Sequence, residues 1–265
     1  MSQAWSIAGW PDWWLILAVA PFIGSFAGVL IQRLPEGRPV GLVRSSCEHC
    51  GVALQARDMV PLLSYLWQRG KCRHCGMAID RFHPAVEMAA VGIALWAILA
   101  DPDPGRLWAD CLLGWTLLTL GWIDWRWMLL PDVLTLPLLL AGLLLTWWLE
   151  PWSLGGHAAG AACGYLALRG VAWCYRAVRG REGIGAGDAK LLAAAGAWLG
   201  LAALPVVVLL AALLGLATAG VLALTGRRLH ASTALPFGPC LAAATWLVWL
   251  YGAGMANIGV LPWSD

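Results

Sequence analysis

The sequence predicts an all-α polytopic membrane protein of about eight transmembrane helices, carrying a small cytoplasmic zinc-binding loop domain. Three observations predict it. The 265-residue chain is 60% hydrophobic and 12% charged, where soluble domains average about 25% charged, and its mean hydropathy is +0.72. Its 19 Trp suit a chain with many membrane–water interfaces, where Trp concentrates. Four of its eight Cys form two Cys-x-x-Cys pairs inside a polar stretch. The net charge of +2 is too small to argue for nucleic acid; membrane lipid is the expected surrounding.

A helix that crosses a bilayer needs about 20 mainly apolar residues. Eight segments qualify: 12–33, 84–100, 106–123, 131–150, 155–177, 187–203, 204–225 and 235–257. The second is short, and only Gly200 to Pro205 separates the sixth from the seventh. The first has no basic leader and no small-residue cleavage site near its end, so it reads as a retained helix rather than a signal peptide. The expected domains are therefore 1–33, a first transmembrane helix; 34–83, a cysteine-bearing loop; and 84–265, a seven-helix membrane core.

Charge asymmetry orients the chain. The stretch from Leu34 to His83 holds Arg38, Arg44, Arg57, Arg69, Lys71, Arg73 and Arg81. If it is cytoplasmic, alternation puts Arg126, then Arg179 and Arg181, then Arg227 and Arg228 on the same side. The opposite loops, Asp101-Pro102-Asp103-Pro104-Gly105 and Glu150-Pro151, are acidic or neutral, with Arg106 the one basic neighbour. This is the positive-inside pattern with both termini outside. Arg169, well within a span, is expected to snorkel toward the inner surface.

Cys47-Glu48-His49-Cys50 and Cys72-Arg73-His74-Cys75 are separated by residues 51–71. Each knuckle puts two thiolates on one tight turn, and two such turns suit tetrahedral Zn²⁺. Gly51 and Gly76 follow directly, where the turn needs a permissive backbone. Two disulfides are the competing reading, which cytoplasmic placement disfavours. With four thiolates the metal has no open position, so it is expected to be structural. His49 and His74 are expected to be exposed polar residues, and Cys111, Cys163, Cys174 and Cys240 small buried hydrophobes.

Asp124 ends one apolar run and Asp188 opens another, after Gly183-Ile184-Gly185-Ala186-Gly187. A carboxylate at a bilayer is costly, about 2.5–3.5 kcal/mol at its centre, and is a functional candidate by default. Both fall on the cytoplasmic face, where two that meet share a proton as in aspartic proteases. Helix capping is the competing reading for Asp188, boundary placement for Asp124, and capping for Asp132. Capping leaves the glycines unexplained; close backbone approach by an extended peptide would explain them. Glu36, Glu48, Asp58, Asp80 and Glu182 are expected to be ordinary solvated charges.

Read together, these motifs resemble the type IV prepilin leader peptidase family. The resemblance spans nearly the whole chain: Gly24-Ser25-Phe26, Ile31-Gln32-Arg33-Leu34-Pro35, both knuckles, Pro61-Leu62-Leu63-Ser64-Tyr65 and Arg69-Gly70-Lys71-Cys72. It continues with Pro84-Ala85-Val86-Glu87, Ile123-Asp124, Leu130-Pro131-Asp132, Glu182 to Asp188, Lys190-Leu191-Leu192 and Pro236-Phe237-Gly238-Pro239. It implies a bacterial inner-membrane enzyme, active site and zinc loop facing the cytoplasm. The family removes the basic leader of prepilins or pseudopilins after a glycine, then methylates the new N-terminus with S-adenosylmethionine.

The family's catalytic aspartates fall on Asp124 and Asp188, its supporting motif on Gly185, Gly187 and Lys190, and its loop glutamate on Glu87. Its metal ligands fall on Cys47, Cys50, Cys72 and Cys75, and its peptidase core on 84–265. Gly28, Met59 and Phe82-His83 depart from the family's pattern. All lie in the part associated with methyl transfer, so a peptidase that has lost that activity is one alternative. No glycine-rich nucleotide loop after a strand is present. A transporter relaying ions through the aspartates, or a non-enzymatic assembly scaffold, are alternatives of another class. Transport would favour internal repeats, and none is visible.

Overall fold

The computed structural model describes residues 13–41, 44–100, 105–180, 183, 185–225 and 235–257. The expectations placed on Asp101–Pro104, Arg181, Glu182, Ile184, Arg227 and Arg228 lie outside the described residues. The described residues form helices and turns, with isolated bridges Ser46–Ala53 and Lys71–Ala78. The helices are α1 (Trp13–Arg33), α2 (Leu63–Trp67), α3 (Phe82–Ala100), α4 (Leu107–Trp127) and α5 (Asp132–Leu149). They continue with α6 (Leu154–Arg179), α7 (Ala186–Leu199), α8 (Leu204–Leu224) and α9 (Gly238–Asn257).

The all-helical class is thus observed, and eight of these helices follow the eight expected segments in order. Among the described residues, four stretches are long and apolar enough to cross a membrane: Trp13–Arg33, Phe82–Ala100, Asp132–Leu149 and Leu201–Leu224. The other four depart from that standard for identifiable reasons. Helix α4 carries Asp110, Asp124 and Arg126. Helix α6 carries Arg169, Arg176 and Arg179 among glycines and alanines. Helix α7 has only 14 residues, roughly 21 Å at 1.5 Å per residue, short of the roughly 30 Å apolar layer. Helix α9 mixes Gly, Thr, Trp and Tyr into its apolar run. Leu201–Leu224 is only 11% buried over its apolar window, as a helix bathed in lipid would be.

The chain divides into two compact units, Met1–Thr119 and Leu120–Asp265. In the first, α1 packs along α3. A Cβ on Gly24 would lie 2.6 Å from the Glu87 Cα, so only glycine permits this crossing. The Trp115 indole donates to the Ala90 carbonyl at 2.9 Å, satisfying a buried polar group between α4 and α3.

In the second unit α7 is the buried centre, with α5, α6, α8 and α9 against it. From Asp188 to Leu199 every residue but Lys190 is buried. Small residues allow this. A Cβ on Gly196 would meet the Gly160 carbonyl at 2.3 Å, and one on Gly164 would meet the Leu192 oxygen at 2.7 Å. Close backbone contact of this kind is the usual means of packing helices in lipid. The Trp198 indole bonds the Leu138 carbonyl at 2.8 Å, tying α7 to α5. At Gly200, φ +78° turns the chain out of α7.

The scattered cysteines split. Cys111 and Cys240 are buried as expected, but Cys163 and Cys174 are exposed. They sit on faces of α6 that no described helix of this unit covers.

Candidate functional site

Asp124 lies on α4, which continues past it to Trp127 because the apolar pattern carries through Trp125 and Trp127. Its side chain is 6% exposed, and Oδ2 accepts the Gly238 amide at 2.9 Å. That amide stands at the start of α9, where unpaired N–H groups favour an anion. A Cβ on Gly238 would sit 2.6 Å from the same Oδ2. Gly238 is thus a site residue to which sequence reasoning gave no role, although its Pro-Phe-Gly-Pro setting was visible. We expect Gly238→Ala to displace the carboxylate and lower the activity that depends on it about 100-fold, since misplacements near 1 Å cost that much. A turnover assay on folded protein would measure it, and an unchanged rate would remove Gly238 from the site.

Asp188 is 8% exposed. The helix cap is Gly185, with extended φ −67° and ψ 146°. Asp188 is the third residue of α7, and its carboxylate reaches back to accept the Gly185 amide. The two carboxylates lie within electrostatic reach of each other.

The glycines before Asp188 have structural causes. A Cβ on Gly187 would lie 2.7 Å from the Leu130 Cβ, and one on Gly185 would crowd the Asp188 Oδ2 at 3.2 Å. The close approach is therefore made by Leu130 and by Asp188 itself. Asp132 is the first residue of α5 after the cap Pro131, and caps nothing. It pairs instead with Lys190 at 2.5 Å, the two side chains 56% and 30% exposed. An ion pair this open contributes little stability; its effect is to join the starts of α5 and α7 beside Asp188.

In the first unit the two knuckles are built alike. Cys47 accepts from Gly51 at 2.9 Å and donates to Val52 at 3.0 Å; Cys72 accepts from Gly76 at 2.8 Å and donates to Met77 at 2.8 Å. Gly51 and Gly76 both have φ +70°, as the turns required. The four sulfurs lie within 4.8 Å of one another, and Cys47 Sγ is 3.9 Å from Cys75 Sγ. A tetrahedral metal with bonds near 2.3 Å needs sulfurs about 3.8 Å apart, so the cluster fits one. None of the four is in a disulfide.

The amides of Cys50 and His49 pull the Cys47 thiol down to about 6, and those of Cys75 and His74 lower Cys72. The Met77 amide pulls Cys75 the same way, but burial and the neighbouring thiols push it up to about 11. One site favours thiolate while its neighbour resists a further negative charge, which a cation relieves.

Beside the cluster is a cavity of about 690 Å³, lined among others by Gln32, Asp58, Met59, Tyr65, His83 and Glu87. Glu87 is 6% exposed and its Oε2 accepts the Leu62 amide at 2.8 Å. Asp58 was expected to be a solvated charge, but its side chain is 5% exposed and bonded to Arg73 at 3.3 Å. It also accepts from Gln55 N at 3.2 Å and Gln68 Nε2 at 3.2 Å, making it a hub of the loop. Glu36 pairs with Arg38 at 2.6 Å, and Asp80 accepts the Phe82 amide at 2.9 Å.

The three departures noted in the sequence gather here. A Cβ on Gly28 would touch His83 Nδ1 at 3.6 Å and Phe82 at 3.9 Å, while Met59 and His83 line the cavity.

Two family models match the chain. Residues 18–100 match the bacterial peptidase A24 N-terminal domain, and residues 111–220 match the type IV leader peptidase family. The prepilin leader peptidase/N-methyltransferase of Aeromonas hydrophila is 42% identical, covering 92% of each chain. That of Burkholderia pseudomallei strain K96243 is 41% identical over 83% of this chain and 79% of its own. That of Dickeya chrysanthemi is 40% identical over 88% and 91%. No solved structure matches.

Proposed function

The chain belongs to the type IV leader peptidase family, and we propose that Asp124 and Asp188 are its catalytic pair. It is a prepilin leader peptidase and N-methyltransferase; a peptidase without methyl transfer, a transporter and a scaffold are not favoured. The observation that carries the catalytic assignment is the pair itself. Two carboxylates are buried in one unit, each fixed by a backbone amide of glycine, in mutual electrostatic reach.

Brought to about 3 Å of each other around a substrate, two carboxylates cannot both ionise. The ionised one takes a proton from water as its oxygen attacks the scissile carbonyl carbon. The protonated one donates a hydrogen bond to the carbonyl oxygen, which carries the developing charge. The tetrahedral species collapses when the C–N bond breaks and the leaving amine receives a proton from the first carboxyl group. Gly238 and Gly185 hold the carboxylates in place throughout. Gly187 permits the contact with Leu130, and Lys190 anchors α7 to α5.

The substrate is a prepilin or pseudopilin, whose basic leader ends at a glycine before an apolar helix. That α7 is shorter than a bilayer is thick supports a position for Asp188 at the surface where that junction sits. The positive-inside charges support a cytoplasmic position, at the inner membrane, for both aspartates and the cysteine loop, and the reading embeds eight helices in lipid. The cysteine cluster, in the loop 34–83 between the first helix and the core 84–265, holds one structural Zn²⁺ through Cys47, Cys50, Cys72 and Cys75.

Methyl transfer uses S-adenosylmethionine, which supplies an electrophilic methyl group on a sulfonium. Its site is the 690 Å³ cavity of the first unit, within the usual range for small-ligand sites, about 300–1,000 Å³. Gln32, Tyr65 and His83 in its lining offer the donor hydrogen bonds.

The test is mass spectrometry of a purified prepilin incubated in detergent with the protein and donor. The expected product lacks its leader and carries one added methyl group. An intact prepilin would defeat the peptidase assignment; a cleaved but unmethylated one would defeat the methyl-transfer half.

A further inference from the structure

Leu62 has φ +58° and ψ −48°, a conformation that side chains other than glycine rarely adopt. The Leu63 amide donates to the Pro61 carbonyl at 2.6 Å. Pro61-Leu62-Leu63 is therefore a γ-turn of the positive-φ kind, rare and strained. A backbone held this way persists only where its surroundings over-determine it, and such outliers gather at ligand sites.

What holds it is visible. Leu62 caps α2, and no residue of its own helix bonds its amide from the usual third position. The Leu62 N–H donates to Glu87 Oε2 at 2.8 Å, from 25 residues along the chain. Glu87 itself cannot drift, because α1 crosses α3 on its Cα where Gly24 leaves no room for a Cβ. Immediately flanking the turn, Met59, Ser64 and Tyr65 form part of the cavity wall.

We infer that Glu87 is a positioning residue: its carboxylate pins the strained Pro61–Leu63 turn and thereby sets the cavity wall that grips the methyl donor. The inference rests on the reading of that cavity as the donor site. It makes Glu87 act through the turn, and gives Leu62 a role that its apolar side chain does not advertise.

The experiment uses full-length protein in detergent and two readouts that need no turnover. One is amide hydrogen exchange in the peptide covering residues 59–66. The other is the calorimetric Kd for S-adenosylhomocysteine, the donor's demethylated form. Glu87→Ala removes the acceptor, and exchange should rise while Kd rises about tenfold, about 1.4 kcal/mol. Glu87→Gln keeps an acceptor oxygen and should leave exchange near the parent's.

The deciding variant is Glu87→Ala with Leu62→Gly. Glycine adopts positive φ without strain, so the turn no longer needs its clamp. Both readouts should return to within about threefold of the parent, about 0.65 kcal/mol. If Glu87 instead touches the ligand directly, Leu62→Gly restores nothing and the proposal is overturned. Unchanged exchange in Glu87→Ala also overturns it. Altered exchange with unchanged Kd, in protein that does bind the ligand, overturns the link from turn to grip. No binding by the parent protein defeats the donor-site reading instead. Should Glu87→Ala not be recovered folded, the double variant should be, and its failure to fold counts against the clamp.

Discussion

Asp124→Asn and Asp188→Asn, made singly, should each lower prepilin cleavage by at least about 10³-fold, since general acid and base groups contribute about 10²–10⁴. The amide is isosteric, and its oxygen can still accept the Gly238 or the Gly185 amide. The fold should therefore survive both changes. What the amide lacks is a proton-exchanging oxygen. One member must accept the proton from water and the other must donate toward the carbonyl oxygen, so either loss stops the same step.

The double variant should be no slower than the worse single one, because groups that act as a unit are far from additive. A capping role has a different signature. It would cost about 0.5–2 kcal/mol of stability and little activity. Cleavage rates and melting curves on the three variants separate the two. Near-parental cleavage by either single variant would falsify the catalytic assignment.

Much of this fold was legible because apolar runs are long. The segments 204–225 and 131–150 became Leu204–Leu224 and Asp132–Leu149. The misjudged positions share a cause: their partners are distant in sequence. Asp58 looked solvated because Arg73 and Gln68 meet it only when the knuckles close. The glycines before Asp188 looked like an entrance for substrate. Leu130, from before α5, is what needs the space at Gly187. Gly238 stood inside a conspicuous motif, yet its bond to Asp124 spans 114 positions.

Helix α4 runs beyond the expected end at 123 to Trp127, because Trp125 and Trp127 extend it past Asp124. The cysteine cluster was the most legible site, since its spacing alone implies its geometry. The cavity was invisible, being defined by surfaces that no short motif encodes.

Removing the metal should unfold the cysteine loop while leaving the membrane helices intact. Between Leu34 and His83 the buried apolar side chains among the described residues include Cys72 and Phe82. Leu63, Leu66 and Trp67 are instead 65%, 70% and 87% exposed. So little core cannot fold some 50 residues, and small domains in this position depend on a metal or disulfides. With no disulfide formed, the proposed structural zinc, worth about 10–16 kcal/mol in apparent binding, would supply the difference.

Cys50→Ala or Cys75→Ala should reduce bound zinc from about one per chain to none, and proteases should then cut within 34–83. Far-UV helicity should change little, since most of it lies in α1 and α3–α9. Binding of S-adenosylhomocysteine should weaken by more than tenfold, because Ser46, Cys47, Cys72 and Met77 line the cavity. A full complement of reduced thiols with no metal bound, in a loop that resists proteolysis, would show that something other than zinc holds the loop together.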